Sequence, residues 1–142
     1  MRAWMDEKHS ERLADLLYRD KTNIFKDPKD VERFSMFYLL SGIESLYQNI
    51  DKIYDFEDHT IKPECLNDSE WTREERKLIS LAFNLYNNFE VTPLEVFYGL
   101  QPNEFVLAVN AIVERMYVYD WRLVRVEEGF RETDIKRLSE VI

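Results

Sequence analysis

The side chains best suited to chemistry lie close together near the middle of the chain. Four carboxylates fall within eight consecutive positions, directly before His59, and they are Asp51, Asp55, Glu57 and Asp58. Carboxylate oxygens of this kind suit a hard cation such as Mg²⁺ or Ca²⁺. Their spacing does not match the calcium loop with its central glycine and terminal glutamate. A metal-assisted hydrolase built on this acidic segment is one hypothesis, but we assign no metal ligand.

Cys65 is the single cysteine, and it follows His59 by six positions. A catalytic thiol needs a lowered pKa and an orienting base. The sequence has no sign of either, and a lone cysteine is typically a small buried apolar residue. Phosphate-binding loops need clustered glycines, whereas Gly42, Gly99 and Gly129 are isolated. We therefore predict no catalytic residue and no cofactor.

The charge of the chain is acidic and unevenly distributed. Nineteen basic and twenty-eight acidic residues give a net charge of −9. Residues 31–71 hold nine acidic and three basic residues, a net of −6. This balance excludes direct binding of nucleic acid through phosphates, which needs clustered Lys and Arg. The acidic segment could instead attract a basic partner protein, or it could simply keep the surface hydrated.

Trp121 is a further candidate for partner binding, because tryptophan is enriched in the energetic centres of interfaces. It falls near the end of a predicted helix, where it could also pack at the edge of the core. An apolar helix so close to the C-terminus could leave a patch for a homodimer. The candidate partner-binding residues are Asp51, Asp55, Glu57, Asp58 and Trp121.

The elements that must position these residues are predicted to be helices. Three glycines and four prolines are too few turn residues for a β-rich fold. Apolar residues instead recur at helical spacing. We predict an all-α fold, a single compact bundle of six or seven helices in one domain over 1–142. One long loop covers about 51–71, and residues 130–142 form a terminal helix or a frayed tail.

Capping signals indicate where several helices begin. Thr72 and Thr92 each stand three residues before a glutamate, which is the pattern of a capping box. Asp27 followed by Pro28 predicts the start of a helix that runs to Gly42.

The last long helix is predicted from Pro102 to Gly129, with one continuous apolar face. A second apolar stripe, which includes Val106 and Val113, leads us to expect this helix near the centre of the bundle. Residues 117–126 are rich in aromatic and β-branched residues and could form a strand. Since no partner strand is evident, we prefer a helix.

Segments in the middle of the chain also carry a family resemblance. The most distinctive are the IKPE run at 61–64 and the LAFNLYN run at 81–87, within a matching stretch over about 34–115. They resemble a family of small uncharacterised proteins from Gram-positive bacteria, their phages and mobile elements. Asn88 stands where the family usually has glycine, a mild change because Asn tolerates a left-handed helix end. The resemblance implies a habitat and a fold, and it implies no site residue.

No apolar run reaches the roughly 20 residues of a membrane span, and the N-terminus lacks a signal-peptide pattern. We therefore expect a cytoplasmic protein with no membrane segment. The leading hypothesis is a small acidic protein of bacterial or phage origin that binds another protein. A more specific version of this hypothesis is that the partner protein is basic. The alternative is an inhibitor that imitates DNA on a nucleic-acid enzyme of host defence.

Overall fold

The computed structural model describes residues 3–22 and 30–116, and helices occupy most of this part of the chain. Its helices are α1 His9–Arg19, α2 Val31–Ser41, α3 Glu44–Gln48, α4 Ile50–Ile53, α5 Arg73–Asn87, α6 Pro93–Phe97 and α7 Pro102–Arg115. A short hairpin pairs strand β1 Tyr54–Asp55 with strand β2 Thr60–Ile61, and a 3₁₀ helix spans Pro63–Asn67. The prediction of a helical bundle is confirmed, with this small hairpin as the addition.

Helix α2 forms the centre of the bundle. Every residue from Phe34 to Ser41 is buried, and α2 packs against α1, α5 and α7. A helix that is apolar on all sides belongs in a core rather than on a surface. Its neighbours bury one face each, so the core surrounds α2.

The central position predicted for the last long helix was wrong. In α7 only one face is buried, through Leu107, Ala108 and Ala111. Both apolar stripes predicted for this helix are largely exposed on the opposite side, with Val109 and Met116 on the first and Val106 and Val113 on the second. Two apolar faces are compatible with a buried helix or with a surface helix that carries an unpartnered face, and α7 is the second kind.

The predicted capping boxes are confirmed. The Thr72 hydroxyl accepts the Glu75 N–H at 3.0 Å, and the Glu75 carboxylate accepts the Thr72 N–H at 2.8 Å. Thr92 and Glu95 form the same pair of bonds at the start of α6. Helix α5 ends at Asn88, whose φ of 67° is the left-handed conformation that asparagine tolerates.

The predicted start of α2 was wrong. Helix α2 begins at Val31, where the Asp30 carboxylate accepts the Arg33 N–H at 3.1 Å. Residues 27 and 28, which were expected to cap the helix, lie outside the described residues. Asp30 supplies the same chemistry as the predicted Asp27, one turn later.

The stretch 51–71, which was predicted as one long loop, consists of several short elements that are packed by their own side chains. It contains the end of α4, the β1–β2 hairpin and the 3₁₀ helix. Ile53 and Tyr54 are buried, and the Trp71 indole N–H donates to the Cys65 carbonyl at 2.8 Å. This region is therefore part of the core that α2 organises.

Several predictions fall on residues whose structure is not described. The continuation of α7 from 117 to 129, the helix or strand at 117–126, the terminal segment 130–142 and Trp121 all lie outside the described residues. Among the helices that are described, none is long and apolar enough to cross a membrane.

Candidate protein-binding surface

Two of the four predicted acidic residues take part in holding the fold together. Asp51 accepts a hydrogen bond from the Arg19 guanidinium at 2.9 Å. Asp55 accepts the backbone N–H groups of Asp58 at 3.0 Å and Glu57 at 2.8 Å, which closes the hairpin turn. These two backbone hydrogen bonds lower the pKa of the Asp55 carboxyl. The side chains of Asp51 and Asp55 thus have structural partners of their own.

The other two predicted residues, Glu57 and Asp58, are exposed at the tip of the hairpin. Cations are mixed among the acidic residues, because Arg19 pairs with Asp51 and the Lys62 ammonium donates to the Asp51 carbonyl at 2.7 Å. Within residues 3–22 and 30–116, no three His, Cys, Asp or Glu side chains are arranged to hold a metal ion.

His59 belongs to a buried polar cluster that the sequence analysis did not identify. Its Nδ1 lies 2.7 Å from Oδ1 of Asp20, which has no solvent-exposed surface. The Tyr54 hydroxyl donates to the same oxygen at 3.0 Å, and the Thr22 hydroxyl donates to Oδ2 at 3.1 Å. The Arg33 guanidinium lies 3.5 Å from Oδ2. We call these five residues the Asp20 cluster.

The electrostatics of the Asp20 cluster follow from burial around one carboxylate. Burial and the neighbouring Asp20 charge raise the pKa of Tyr54 well above its ordinary value, so its hydroxyl remains a donor. Burial opposes the charge on Arg33, but Asp20 and the smaller contributions of its other neighbours together outweigh it, and the pKa of Arg33 is raised. His59 itself adopts a φ of 57°, and its carbonyl accepts the Tyr86 hydroxyl at 2.5 Å. The cluster therefore ties α1, α2, the hairpin and α5 together.

Cys65 lies away from this arrangement, and its sulfur is buried. Burial, with the carboxylates of Glu64 and Asp68 nearby, raises the pKa of the Cys65 thiol to about 11. A nucleophilic thiol needs the opposite shift. His59, which was considered as its base, is bonded to Asp20 instead.

One signal for Asp20 was present in the sequence. Asp20 follows the last residue of α1, where the negative end of the helix dipole disfavours a carboxylate. An acidic residue in that position needs compensation from elsewhere in the fold, and His59 and Arg33 supply it.

The main exposed feature of the described residues is an apolar groove between α6 and α7. It has a volume of about 490 Å³ and is lined by Pro93, Leu94, Phe97, Tyr98, Phe105 and Val109. Leu94 and Tyr98 are 74% and 75% exposed. Val106, Val113 and Met116 extend the exposed apolar surface along α7. We call the six lining residues the apolar groove.

Local sequence explains how the two helices present this groove. Pro93 opens α6, and Val96 is buried, so that Leu94 faces away from the core. In α7 the buried Leu107, Ala108 and Ala111 direct the stripe that includes Phe105 and Val109 outward. The rings of Phe97 and Phe105 meet edge to face at 5.2 Å and fix the distance between the helices.

The charge around the apolar groove is predominantly acidic. Residues 78–114 contain Glu90, Glu95, Glu104 and Glu114 and no lysine or arginine. Glu95 and Glu104 lie next to groove residues, in the first turns of α6 and α7. The Lys77 ammonium of α5 also reaches this border, 5.9 Å from the centre of the Tyr98 ring, and the two carboxylates leave the border net acidic.

Fold and surface together define a compact helical protein with a buried polar cluster and an exposed apolar groove. Residues 1–123 match the model of a family of unknown function, DUF6075, and the chain belongs to that family. No curated protein and no solved structure matches the chain. The predicted membership of an uncharacterised family is thereby confirmed, and its occurrence in Gram-positive bacteria and their phages stays a prediction.

Proposed function

We propose that this protein acts by binding another protein, and that the apolar groove receives an amphipathic helix with lysine or arginine along its edges. The observation that carries the proposal is the exposure of Leu94, Tyr98 and their neighbours in one continuous groove. Contiguous exposed apolar surface on a folded protein is typical of an interaction site. A groove between two helices fits the apolar face of a third.

The chemistry of the partner follows from the charge at the border. Glu95 and Glu104 flank the groove and outnumber the Lys77 ammonium that lies beside Tyr98, so the border is net acidic. A helix with an acidic edge would meet repulsion there, whereas lysine and arginine would be attracted. Apolar contacts in the groove would supply most of the affinity, and the charged border would select the partner.

The exposed hairpin carboxylates Glu57 and Asp58 have a secondary role in this proposal. Unpaired surface charges chiefly accelerate the encounter with an oppositely charged partner. Asp55 closes the hairpin turn, so its replacement would disturb the hairpin as well as binding, whereas Asp51 makes an exposed pair with Arg19 that contributes little to the fold. We place the protein in the cytoplasm of a bacterium, with a chromosome or a phage as its source.

The test is a selection of helical peptides from a displayed library on the immobilised protein. The groove variant carries Leu94→Ser and Tyr98→Ser. Tyr18→Ser is its matched control, because Tyr18 is 85% exposed on α1 and outside the groove. We expect the selected peptides to have one apolar face with basic edges, and to lose at least about tenfold in affinity on the groove variant only.

Two further measurements sharpen the result. Glu57→Gln with Asp58→Asn should lower the association rate and its salt dependence while leaving dissociation nearly unchanged. Sedimentation should show a monomer at the concentrations used. Peptides that bind the groove variant equally well would contradict the proposal. Self-association abolished by the groove variant would also contradict it, since a second copy would then occupy the groove.

A further inference from the structure

A second cavity, between α5 and the chain that leads into α6, combines opposite charges with an apolar floor. Its volume is about 400 Å³, within the range of small-molecule sites of about 300–1,000 Å³. Arg73, Arg76 and Lys77 line it from one helix, α5. Glu90 and Glu95 line it from the other side. We call this cavity the charged cleft.

The opposite charges of the charged cleft do not neutralise each other. Within the described part of the chain, none of its three cations comes within 4.0 Å of either carboxylate. Exposed charges elsewhere close into pairs, as Arg19 does with Asp51 at 2.9 Å and Arg115 with Glu32 at 3.6 Å. The two walls of the cleft thus present positive and negative charge across a gap.

Of the five charged side chains that line the cleft, three hold the fold and two do not. Arg76 donates to the Leu66 and Asp68 carbonyls, and Lys77 donates to the Tyr98 carbonyl. Glu95 completes the capping box of α6. Arg73 and Glu90, in contrast, make no hydrogen bond or ion pair with any described residue. One free guanidinium and one free carboxylate therefore remain available to a ligand.

We propose that the charged cleft binds a small zwitterion that carries a carboxylate, an ammonium group and an apolar side chain. The Arg73 guanidinium matches a carboxylate, to which it can donate two parallel hydrogen bonds. The Glu90 carboxylate accepts the ammonium group. Phe89 and Val96, which also line the cleft, contact the apolar side chain. Amino acids and dipeptides share this chemistry.

The experiment is a calorimetric titration of the whole protein with four probes. L-Leucine and leucyl-leucine carry both charges, leucinamide lacks the carboxylate, and N-acetyl-leucine lacks the ammonium group. Because hydrogen bonds to charged groups are the strong ones, we expect each missing charge to weaken binding by at least about tenfold. The tighter of leucine and leucyl-leucine identifies the source of the zwitterion.

Variants of Arg73 and Glu90 test which charged group of the ligand each wall of the cleft binds. Arg73→Gln should weaken leucine binding about tenfold without affecting leucinamide, and Glu90→Gln should do so without affecting N-acetyl-leucine. Lys8→Gln and Glu64→Gln, both exposed outside the cleft, serve as matched controls. Absence of saturable binding by leucine and leucyl-leucine would overturn the proposal, as would equal binding of all four probes. Leu94→Ser alone, at a groove residue that does not line the cleft, should leave these titrations unchanged, so the two proposals fail or succeed separately.

Discussion

The Asp20 cluster and the apolar groove reverse the usual distribution of residues in opposite ways. Asp20 is charged and has no exposed surface, whereas Leu94 is apolar and 74% exposed. Buried charge is tolerated only where it is paired and hydrogen bonded. Exposed apolar surface is tolerated in the free protein, because its contact with water costs only a modest free energy per unit of area. One region therefore holds the fold, and the other is available for binding.

The partners of the two regions make this difference concrete. Asp20 accepts bonds from Tyr54, Thr22 and His59, which approach from three places along the chain. No described side chain packs over Leu94 to a comparable degree, as its exposure indicates. Removing Asp20 would leave several donors without an acceptor, while removing Leu94 would leave the core as it is.

The largest predicted effect is that of Asp20→Ala. The substitution leaves the Tyr54 hydroxyl and the His59 N–H unpaired in the interior and removes the charge that faces Arg33. We expect a loss of about 3–5 kcal/mol in the free energy of unfolding, measured by urea denaturation. Asp51→Ala is the matched control, because its pair with Arg19 is exposed and contributes about 0–1 kcal/mol. Equal effects would show that the cluster does not hold the fold.

The next prediction concerns a second buried polar residue, His9, and the pH dependence of the free energy of unfolding. His9 Nε2 lies 2.8 Å from the Tyr38 carbonyl, and Nδ1 accepts the Met5 N–H at 3.1 Å. The neutral ring satisfies both bonds, and protonation would remove the acceptor. Burial, reinforced by Arg12, lowers the pKa of His9 below its ordinary value of 6.5.

As the pH is lowered, His9 binds its proton at a higher pH in the unfolded chain than in the folded one. The free energy of unfolding is therefore greatest above about pH 6.5 and falls at lower pH. The slope should approach at most about 1.4 kcal/mol per pH unit between pH 6.5 and 5. Denaturation of His9→Gln should show a flat profile in this window. A flat wild-type profile would mean that His9 binds its proton equally in both states.

The fold was predictable where its signals are local. The capping boxes at Thr72 and Thr92 need only residues three positions apart, and both were predicted correctly. The Asp20 cluster was not, because Asp20 and His59 are 39 residues apart and only the folded chain brings them together.

The apolar groove was missed because apolarity alone does not distinguish a core from a binding surface. Val106 and Val113 form a stripe that suits a buried helix, and the prediction placed α7 at the centre. The more continuously apolar α2 takes that place instead, so both predicted stripes of α7 remain on its outer side. A comparison of all helices, rather than each one alone, would have ranked α2 first.

The smallest predicted effect completes the comparison. Leu94→Ser and Tyr98→Ser should each change the free energy of unfolding by less than about 0.5 kcal/mol, as surface substitutions do. Val96→Ala in the same short helix should cost about 1–2 kcal/mol, because Val96 is 1% exposed and loses two buried methyl groups. Thermal and urea denaturation of the three variants would measure the contrast. If Leu94→Ser destabilised the protein as much as Val96→Ala, the groove would be part of the core, and its exposed side chains could not be free to bind a partner.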